Sequence, residues 1–199
     1  MSLKAQGIGF RYGNQPWLFR DVSVELHPGE IVGLLGASGT GKTTFARILS
    51  SYERPQEGEV SLFGAPPPQH GYHPVQLVFQ HPEKALNPRW RLRDSLYEAG
   101  EPDPGVLEEL GIRREWLTRW PGELSGGELQ RFCIARALRP ETKFLIADEM
   151  TTMLDAVTQA QLWQVVVRQA EERNLGVLVI SHDSNLLGRL CRRYIRLQQ

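Results

Sequence analysis

The sequence predicts an α/β fold in which a mostly parallel central sheet is covered by helices. Short, mainly apolar runs alternate along the chain with helical patterns, and the runs lack the strict apolar–polar alternation of a half-exposed strand. Such runs are typical of strands that are buried on both faces of a parallel sheet. The runs cover residues 31–35, 75–79, 144–147 and 177–180, and the longest helical patterns cover residues 127–138 and 156–173.

The first 26 residues have a different pattern. Apolar and polar residues alternate, the alternation breaks at Gly13-Asn14, and Pro28-Gly29 then turns the chain into the apolar run at residues 31–35. This pattern predicts antiparallel strands with one solvated face, which form an N-terminal β subdomain. The apolar positions are Leu3, Ala5, Ile8, Phe10, Val22, Val24 and Leu26.

The stretch between Pro82 and Pro121 is rich in Pro, Arg, Glu and Trp. Its helical segments are short, and they cover about residues 92–99, 106–110 and 114–119. We interpret residues 82–138 as a helical lobe that is inserted between strands of the sheet. The whole chain, residues 1–199, is then expected to form one domain with an inserted lobe.

Composition excludes several classes of protein. The 199 residues include 23 Lys+Arg and 23 Asp+Glu, so the formal net charge is zero. This balance argues against a protein that binds nucleic acid through a net positive charge. No apolar run approaches the ~18 residues of a transmembrane helix, and the N-terminus does not have the order of a secretion signal. We therefore expect a cytoplasmic protein in which Cys133 and Cys191 are buried, reduced thiols.

A glycine-rich loop follows the first apolar run. It has the spacing G-x-x-x-x-G-K-S/T between a predicted buried strand and a helical run, which is the context of a phosphate-binding loop. The backbone N–H groups of such a loop and the positive end of the next helix face phosphate oxygens, while Lys42 reaches the β- and γ-phosphates and Thr43 ligates Mg²⁺. The candidate nucleotide-binding residues are Gly36, Ser38, Gly39, Thr40, Gly41, Lys42, Thr43 and Thr44.

Two adjacent acids end the apolar run at residues 144–147. Ligands bind at the carboxyl ends of strands in parallel sheets, so Asp148 is expected to hold Mg²⁺ through a water and Glu149 to polarise the attacking water. The alternative is that both acids simply end a strand and face solvent.

The sequence Leu124-Ser125-Gly126-Gly127-Glu128 begins a second helix with free N–H groups. Ser125 and Glu128 have the spacing of a capping box, and the two glycines leave the helix start open for another phosphate. The same LSGGE sequence is the signature of ABC-type ATPases, which this chain therefore resembles. The resemblance implies ATP and Mg²⁺ as ligands, and it implies that Ser125, Gly126 and Gly127 contact the γ-phosphate of a nucleotide bound to a partner subunit.

Other residues match motifs of that family in the same order. Tyr12 matches an aromatic residue that stacks on adenine, and its alternative role is to pack the hairpin. Gln80 matches a glutamine that senses the metal. Asp155 matches the D-loop aspartate and also suits a helix N-cap. His182 matches the histidine that contacts the γ-phosphate. The resemblance thus implies a catalytic set of Lys42, Gln80, Glu149 and His182.

The segments 78–89 and 148–161 are similar to the peptide/nickel importer branch of the family. This sequence departs from the family pattern in two places. Met150 replaces the usual Pro after the catalytic Glu, and this replacement is expected to loosen the turn. The chain also ends soon after His182, so no C-terminal regulatory domain is expected. A runner-up with the same catalytic residues is an ABC ATPase of a non-transport assembly of the phosphonate-degradation type.

The resemblance also implies partners. These are a second ATPase subunit packed head to tail, membrane permease subunits, and indirectly an extracytoplasmic solute-binding protein, with the chain on the inner face of the membrane. A permease helix is expected to dock between the lobe and the segment after Gln80. The expected lining is Leu86, Pro88 and Trp90, which Trp116 and Trp120 could join. The alternative is that the three tryptophans form the core of the lobe.

Overall fold

The computed structural model describes residues 2–197, in which two β-sheets are present. The predicted domain bounds at Met1 and Gln199, together with Gln198, lie outside the described residues. An antiparallel sheet has the strand order β2–β1–β4, and a parallel sheet has the order β5–β6–β7–β3–β8. The strands are β1 Leu3–Phe10, β2 Phe19–Leu26, β3 Ile31–Leu35, β4 Glu57–Leu62, β5 Val75–Val78, β6 Phe144–Asp148, β7 Gly176–Ile180 and β8 Arg193–Arg196.

Helices cover the parallel sheet and form the lobe. The α-helices are α1 Lys42–Leu49, α2 Leu92–Tyr97, α3 Pro104–Glu109, α4 Gly126–Ala137, α5 Ala156–Arg173 and α6 Ser184–Leu190. Three short 3₁₀ turns lie at Pro82–Lys84, Arg114–Thr118 and Pro121–Glu123. The predicted α/β class, with a parallel core sheet, an N-terminal antiparallel subdomain and a helical insertion, is confirmed.

The parallel sheet separates two hydrophobic cores. Side chains alternate across a strand, and in β6 Leu145 and Ala147 join the core of the lobe, α4 and α5, whereas Phe144 and Ile146 join the core of α1 and the antiparallel sheet. Every residue of β6 and of β7 is buried. Burial on both faces explains why these strands are almost entirely apolar in sequence.

The antiparallel sheet confirms the predicted strands and adds one. β4 pairs with β1, although only Leu62 of β4 is fully buried, and its mixed polar sequence gives no clear alternation. Gly58 has a φ of +77°, and a Cβ there would lie 2.2 Å from the Gln6 carbonyl oxygen, so glycine is required where the two strands meet.

The lobe has its own apolar centre, which corrects part of the expected docking surface. Leu86 and Trp116 are buried, with 4% and 5% exposed, and the Trp116 ring lies 6.4 Å from the ring of Phe132 on α4. Pro88, Trp90 and Trp120 remain on the surface. The two buried side chains belong to the lobe because they fill the space between its short helices and α4.

The described helices include none that is both long enough and apolar enough to cross a membrane. Both cysteines are free thiols and buried, as predicted.

Candidate active site

The phosphate loop, residues 36–43, connects β3 to α1 at the carboxyl edge of the parallel sheet. Gly41 has a φ of +91°, and a Cβ there would lie 2.7 Å from Leu18 Cδ2, so the turn into α1 requires glycine. The Lys42 ammonium donates hydrogen bonds to the carbonyl oxygens of Gly36 and Ala37, each at 2.9 Å. The lysine thus stands inside the curl of the loop, and no acidic residue neutralises the first turn of α1.

Asp148 lies beside this loop at the end of β6. Its side chain is 3% exposed, and its Oδ1 has no hydrogen-bond partner among the described residues. Burial raises the pKa of this carboxyl, as does the charge of Glu149, while the Thr43 hydroxyl and the charges of Arg47 and Lys42 oppose the shift. An unpartnered carboxylate oxygen next to a threonine hydroxyl fits a hard divalent cation such as Mg²⁺.

Glu149 is held from both sides. Gln80 Nε2 donates to Glu149 Oε2 at 3.1 Å, and His182 Nε2 lies 2.9 Å from Glu149 Oε1. Gln80, Glu149 and His182 follow β5, β6 and β7, which are neighbours in the sheet, so the strand order itself brings the three side chains together.

The turn after Glu149 is ordered by backbone and side-chain contacts. Glu149 has a φ of +50°, and its N–H donates to the Ile180 carbonyl at 2.9 Å. Met150 is 2% exposed in the lobe-side core, and Thr152 N–H donates to the Glu149 carbonyl at 3.1 Å. Met150 therefore packs the turn against the lobe-side core, and the expectation that it loosens the turn relative to proline stays a prediction.

Tyr12 packs the hairpin, which is one of the two roles considered for it, while its stacking on adenine stays a prediction. Its hydroxyl lies 2.9 Å from Thr44 Oγ1 on α1, and its ring packs edge to face on Phe10 with centroids 5.0 Å apart. The side chain is nevertheless 47% exposed. One face of the ring is therefore available beside the phosphate loop.

The signature helix α4 begins on the surface. The predicted capping box is present: Ser125 Oγ accepts from Glu128 N–H at 3.4 Å, and Ser125 N–H donates to Glu128 Oε2 at 2.8 Å. Nothing lies within 4 Å of a Cβ built at Gly126. Among residues 2–197, the side-chain hydrogen bonds of Ser125 go only to Glu128, so this end of the helix is not joined to the chain's own phosphate loop.

Asp155 serves as the N-cap of α5. It accepts hydrogen bonds from the N–H groups of Val157 and Thr158, each at 3.0 Å. The preceding Leu154 approaches the start of α4, since a Cβ at Gly127 would lie 3.5 Å from Leu154 Cδ2. The segment with Asp155 thus adjoins the signature residues.

Two residues of the site region were not found from the sequence. Gln130 is 1% exposed on α4 and donates to the carbonyl oxygen of Phe79 at 3.2 Å, directly before Gln80. Thr151 accepts from Trp163 Nε1 and Gln159 Nε2, each at 3.0 Å, and so ties the turn after Glu149 to α5. A polar residue within the buried face of α4 was the only signal for Gln130.

A model of the ABC transporter family matches residues 19–152. The chain belongs to the ABC transporter family. It is therefore an ABC ATPase, which binds ATP, and the resemblance that the LSGGE motif indicated is confirmed.

Curated relatives lie in the expected branch of the ABC transporters. This ABC ATPase is 36% identical to the nickel import ATP-binding protein NikE of Pseudomonas putida, in an alignment that covers 98% of this chain and 81% of the relative. It is 32% identical to the nickel import system ATP-binding protein NikE of Staphylococcus aureus, in an alignment that covers 98% of this chain and 86% of the relative. These names confirm the resemblance to the peptide/nickel importer branch.

Solved structures show the same fold as this ABC ATPase. The structure of an ATP-binding subunit of an ABC transporter superposes with a TM-score of 0.84 at 22% identity, covering 100% of this chain and 86% of that one. The dimeric structure of MJ0796, a bacterial ABC transporter cassette, superposes with a TM-score of 0.81 at 24% identity, covering 98% of this chain and 94% of that one.

Proposed function

We propose that residues 1–199 form one ATPase domain that energises an ABC importer for nickel, peptides or a related small solute. The observation that carries the proposal is the pairing of Glu149 with both Gln80 and His182 at the edge of the parallel sheet. The nickel import proteins among the relatives favour an importer.

The phosphate loop and its surroundings bind the nucleotide in this proposal. Lys42 exchanges its two carbonyl partners for the β- and γ-phosphates, and the exposed Tyr12 ring stacks on adenine. Thr43 and Asp148 hold Mg²⁺, with Asp148 acting through a water, and Gln80 senses it through its amide oxygen. The metal, when bound, neutralises phosphate charge.

Hydrolysis needs a water that is oriented against the γ-phosphate. The Glu149 carboxylate accepts a hydrogen bond from Gln80 at Oε2 and lies 2.9 Å from His182 Nε2 at Oε1, so both oxygens are held in position before nucleotide arrives. We assign it the role of general base, which orients and deprotonates the water. His182, which is 2.9 Å from it, contacts the γ-phosphate and holds the carboxylate in place.

A second ATPase subunit, either another copy or a related chain, completes each site. Ser125 and Gly126 are exposed and Gly127 is half-buried, and an exposed helix start of this kind binds phosphate. We infer a head-to-tail pair in which these residues cover the partner's γ-phosphate and Asp155 lines the same interface. ATP closes the pair and hydrolysis opens it.

Permease subunits are the proposed membrane partners, with a solute-binding protein acting through them. Trp90 and Trp120 are 39% and 44% exposed, and Arg91 stacks 4.1 Å from the Trp120 ring. Exposed aromatic side chains at one place favour a protein interface. The lobe then docks on the permease, which positions the chain on the cytoplasmic face of the membrane. No nucleic-acid partner is proposed.

Co-purification tests this proposal against the non-transport alternative. A tagged Glu149→Gln chain keeps the shape of the side chain but loses the base, so it should bind ATP, stop hydrolysing it and remain in the closed pair. When the tagged variant is extracted from membranes with ATP, it should retain hydrophobic permease subunits. The wild-type chain extracted without nucleotide is the control. Recovery with soluble enzyme subunits instead would favour the non-transport assembly, and wild-type hydrolysis by the variant would refute the role of Glu149.

A further inference from the structure

Gln130 is a buried amide on the signature helix α4, and its hydrogen-bonding capacity is only partly used. Its side chain is 1% exposed, and its Nε2 donates to the Phe79 carbonyl oxygen at 3.2 Å. Its Oε1 is buried and has no hydrogen-bond partner among residues 2–197. Because a buried polar atom without a partner costs free energy, stability alone does not explain a glutamine at this position.

The contact that Gln130 makes lies beside the candidate active site. Phe79 directly precedes Gln80, and Gln80 Nε2 donates to Glu149 Oε2 at 3.1 Å. Gln130 therefore holds the stretch of backbone from which the Gln80 side chain extends. A shift of the Phe79 carbonyl moves the Gln80 amide relative to the Glu149 carboxylate.

Two further side chains of α4 contact the same segment. Arg136 Nη1 donates to the Ala85 carbonyl oxygen at 2.8 Å, and Cys133 Sγ lies 3.8 Å from the Pro82 carbonyl oxygen. The contacting side chains are three residues apart on α4, and the carbonyls are three residues apart on the segment after β5. Gln130 continues this spacing at the end that is nearest to the active site.

Gln130 also lies about one helical turn from the start of the signature helix. α4 is a continuous helix over Gly126–Ala137, so its start and Gln130 belong to one rigid element. The exposed start, at Ser125 and Gly126, is the part that is proposed to cover the phosphate bound by the partner subunit. The Gln130 hydrogen bond thus connects a helix that serves one nucleotide with a segment that serves another.

We propose that Gln130 is a positioning residue that joins the signature helix to Gln80 and so holds Gln80 against Glu149. The inference rests on the proposed function, in which Glu149 is the general base. When the partner's phosphate fixes the start of α4, the Phe79 carbonyl and Gln80 are fixed with it. The amide serves this contact on a helix whose other buried side chains are apolar or thiol.

The test replaces Gln130 by methionine in the full chain. Gln130→Met keeps a similar volume and removes both the donor and the unpartnered acceptor, so the urea midpoint should change little. The kcat for ATP hydrolysis should fall about threefold to tenfold, which corresponds to one lost hydrogen bond. The equilibrium affinity for ATP should stay within about twofold of wild type, because Gln130 bonds to Phe79 and not to the phosphate loop among the described residues.

Gln169 provides the matched control, because it is another buried glutamine, 5% exposed on α5. Its Oε1 accepts from Arg173 Nη1 at 3.1 Å, and Arg173 also donates to the Leu138 carbonyl oxygen at the end of α4. Gln169→Met should therefore lower the urea midpoint and leave kcat unchanged. The two substitutions are expected to give opposite patterns of stability and turnover.

A double-variant cycle tests whether Gln130 acts through Gln80. Single-turnover hydrolysis, with enzyme in excess, is measured for Gln80→Ala alone and combined with Gln130→Met. No further loss should occur in the combination, because the side chain that Gln130 positions is already absent. A further loss equal to that in the wild-type background would overturn the proposal.

Three other outcomes would also overturn the proposal. These are wild-type kcat in Gln130→Met, failure of this variant to fold, and a loss of ATP affinity as large as the loss in kcat. Failure to fold counts because it would make Gln130 a structural residue. Wild-type hydrolysis by Glu149→Gln would instead refute the proposed function, so the two failures are distinguishable.

Discussion

The two helix starts that we propose to bind phosphate are built differently. At the phosphate loop, Lys42 and Asp148 are buried, and the nearby Glu149 is held by two side chains from neighbouring strand ends. At the signature helix, Ser125 and Gly126 are exposed, and the Ser125 side chain bonds only to Glu128 among the described residues. The first site is organised within the chain, whereas the second is open on the surface, as the proposed head-to-tail pair requires.

The largest effect is expected at the first site. Lys42→Ala removes the only ammonium within the loop, and we expect ATP affinity to fall about 100-fold or more because several charge-assisted hydrogen bonds are lost together. Equilibrium binding of a fluorescent ATP analogue measures this loss of affinity. Lys143→Ala, at an exposed lysine, is the matched control, and equal affinity in the two variants would contradict the role of Lys42.

A mixing experiment tests whether the second site works between subunits. Ser125→Arg should bind ATP normally but not hydrolyse it, because the long side chain blocks the helix start. Mixed with Lys42→Ala, it should regain roughly a quarter of wild-type hydrolysis, since half of randomly formed pairs contain one intact site out of two.

Steady-state ATPase assays of each variant and of the mixture provide the measurement. Ser125→Asp is a useful companion because it retains an N-cap while placing a negative charge against the phosphate. A mixture no more active than its components would mean that Ser125 acts within its own chain.

The parts of the site that are local in sequence could be predicted, whereas those that depend on the strand order could not. The phosphate loop, the acids after β6 and the capping box are local patterns, so they were predicted with their residues. The contact of Glu149 with Gln80 and His182 depends on the order β5–β6–β7, which is not a local property. β4 and β8 were not predicted. Backbone pairing with β1 and β3 stabilises these two strands, and their side chains are mostly exposed or half-buried, so their sequences have no clear apolar pattern.

The tryptophans of the lobe show a second limit of sequence reasoning. Trp116 and Trp120 lie in the same polar stretch, yet one packs against Phe132 and the other is exposed. Trp116→Ala should therefore cost about 3–5 kcal/mol of unfolding free energy, as in other cores. Trp120→Ala should cost about 1 kcal/mol at most, since it loses mainly the Arg91 stacking.

Urea denaturation of both variants measures these costs. ATP binding to folded Trp116→Ala should remain close to wild type, because the phosphate loop lies on the other core. Similar costs for the two substitutions would contradict the division between the interior of the lobe and its surface. Lost ATP binding in the folded variant would mean that the first site depends on the lobe.

The smallest effect concerns motion of the signature helix, whose start is open but whose body is buried. Burial raises the pKa of Cys133 on α4 to about 12 and that of Cys191 to about 11. Because desolvation suppresses the thiolate more strongly at the more deeply buried Cys133, Cys191 should react faster with iodoacetamide, and both rates should rise with pH because only the thiolate attacks. Alkylation followed by mass spectrometry measures each site. If Cys133 reacts faster, α4 must leave the core in solution, and the signature residues would then be mobile together with their helix.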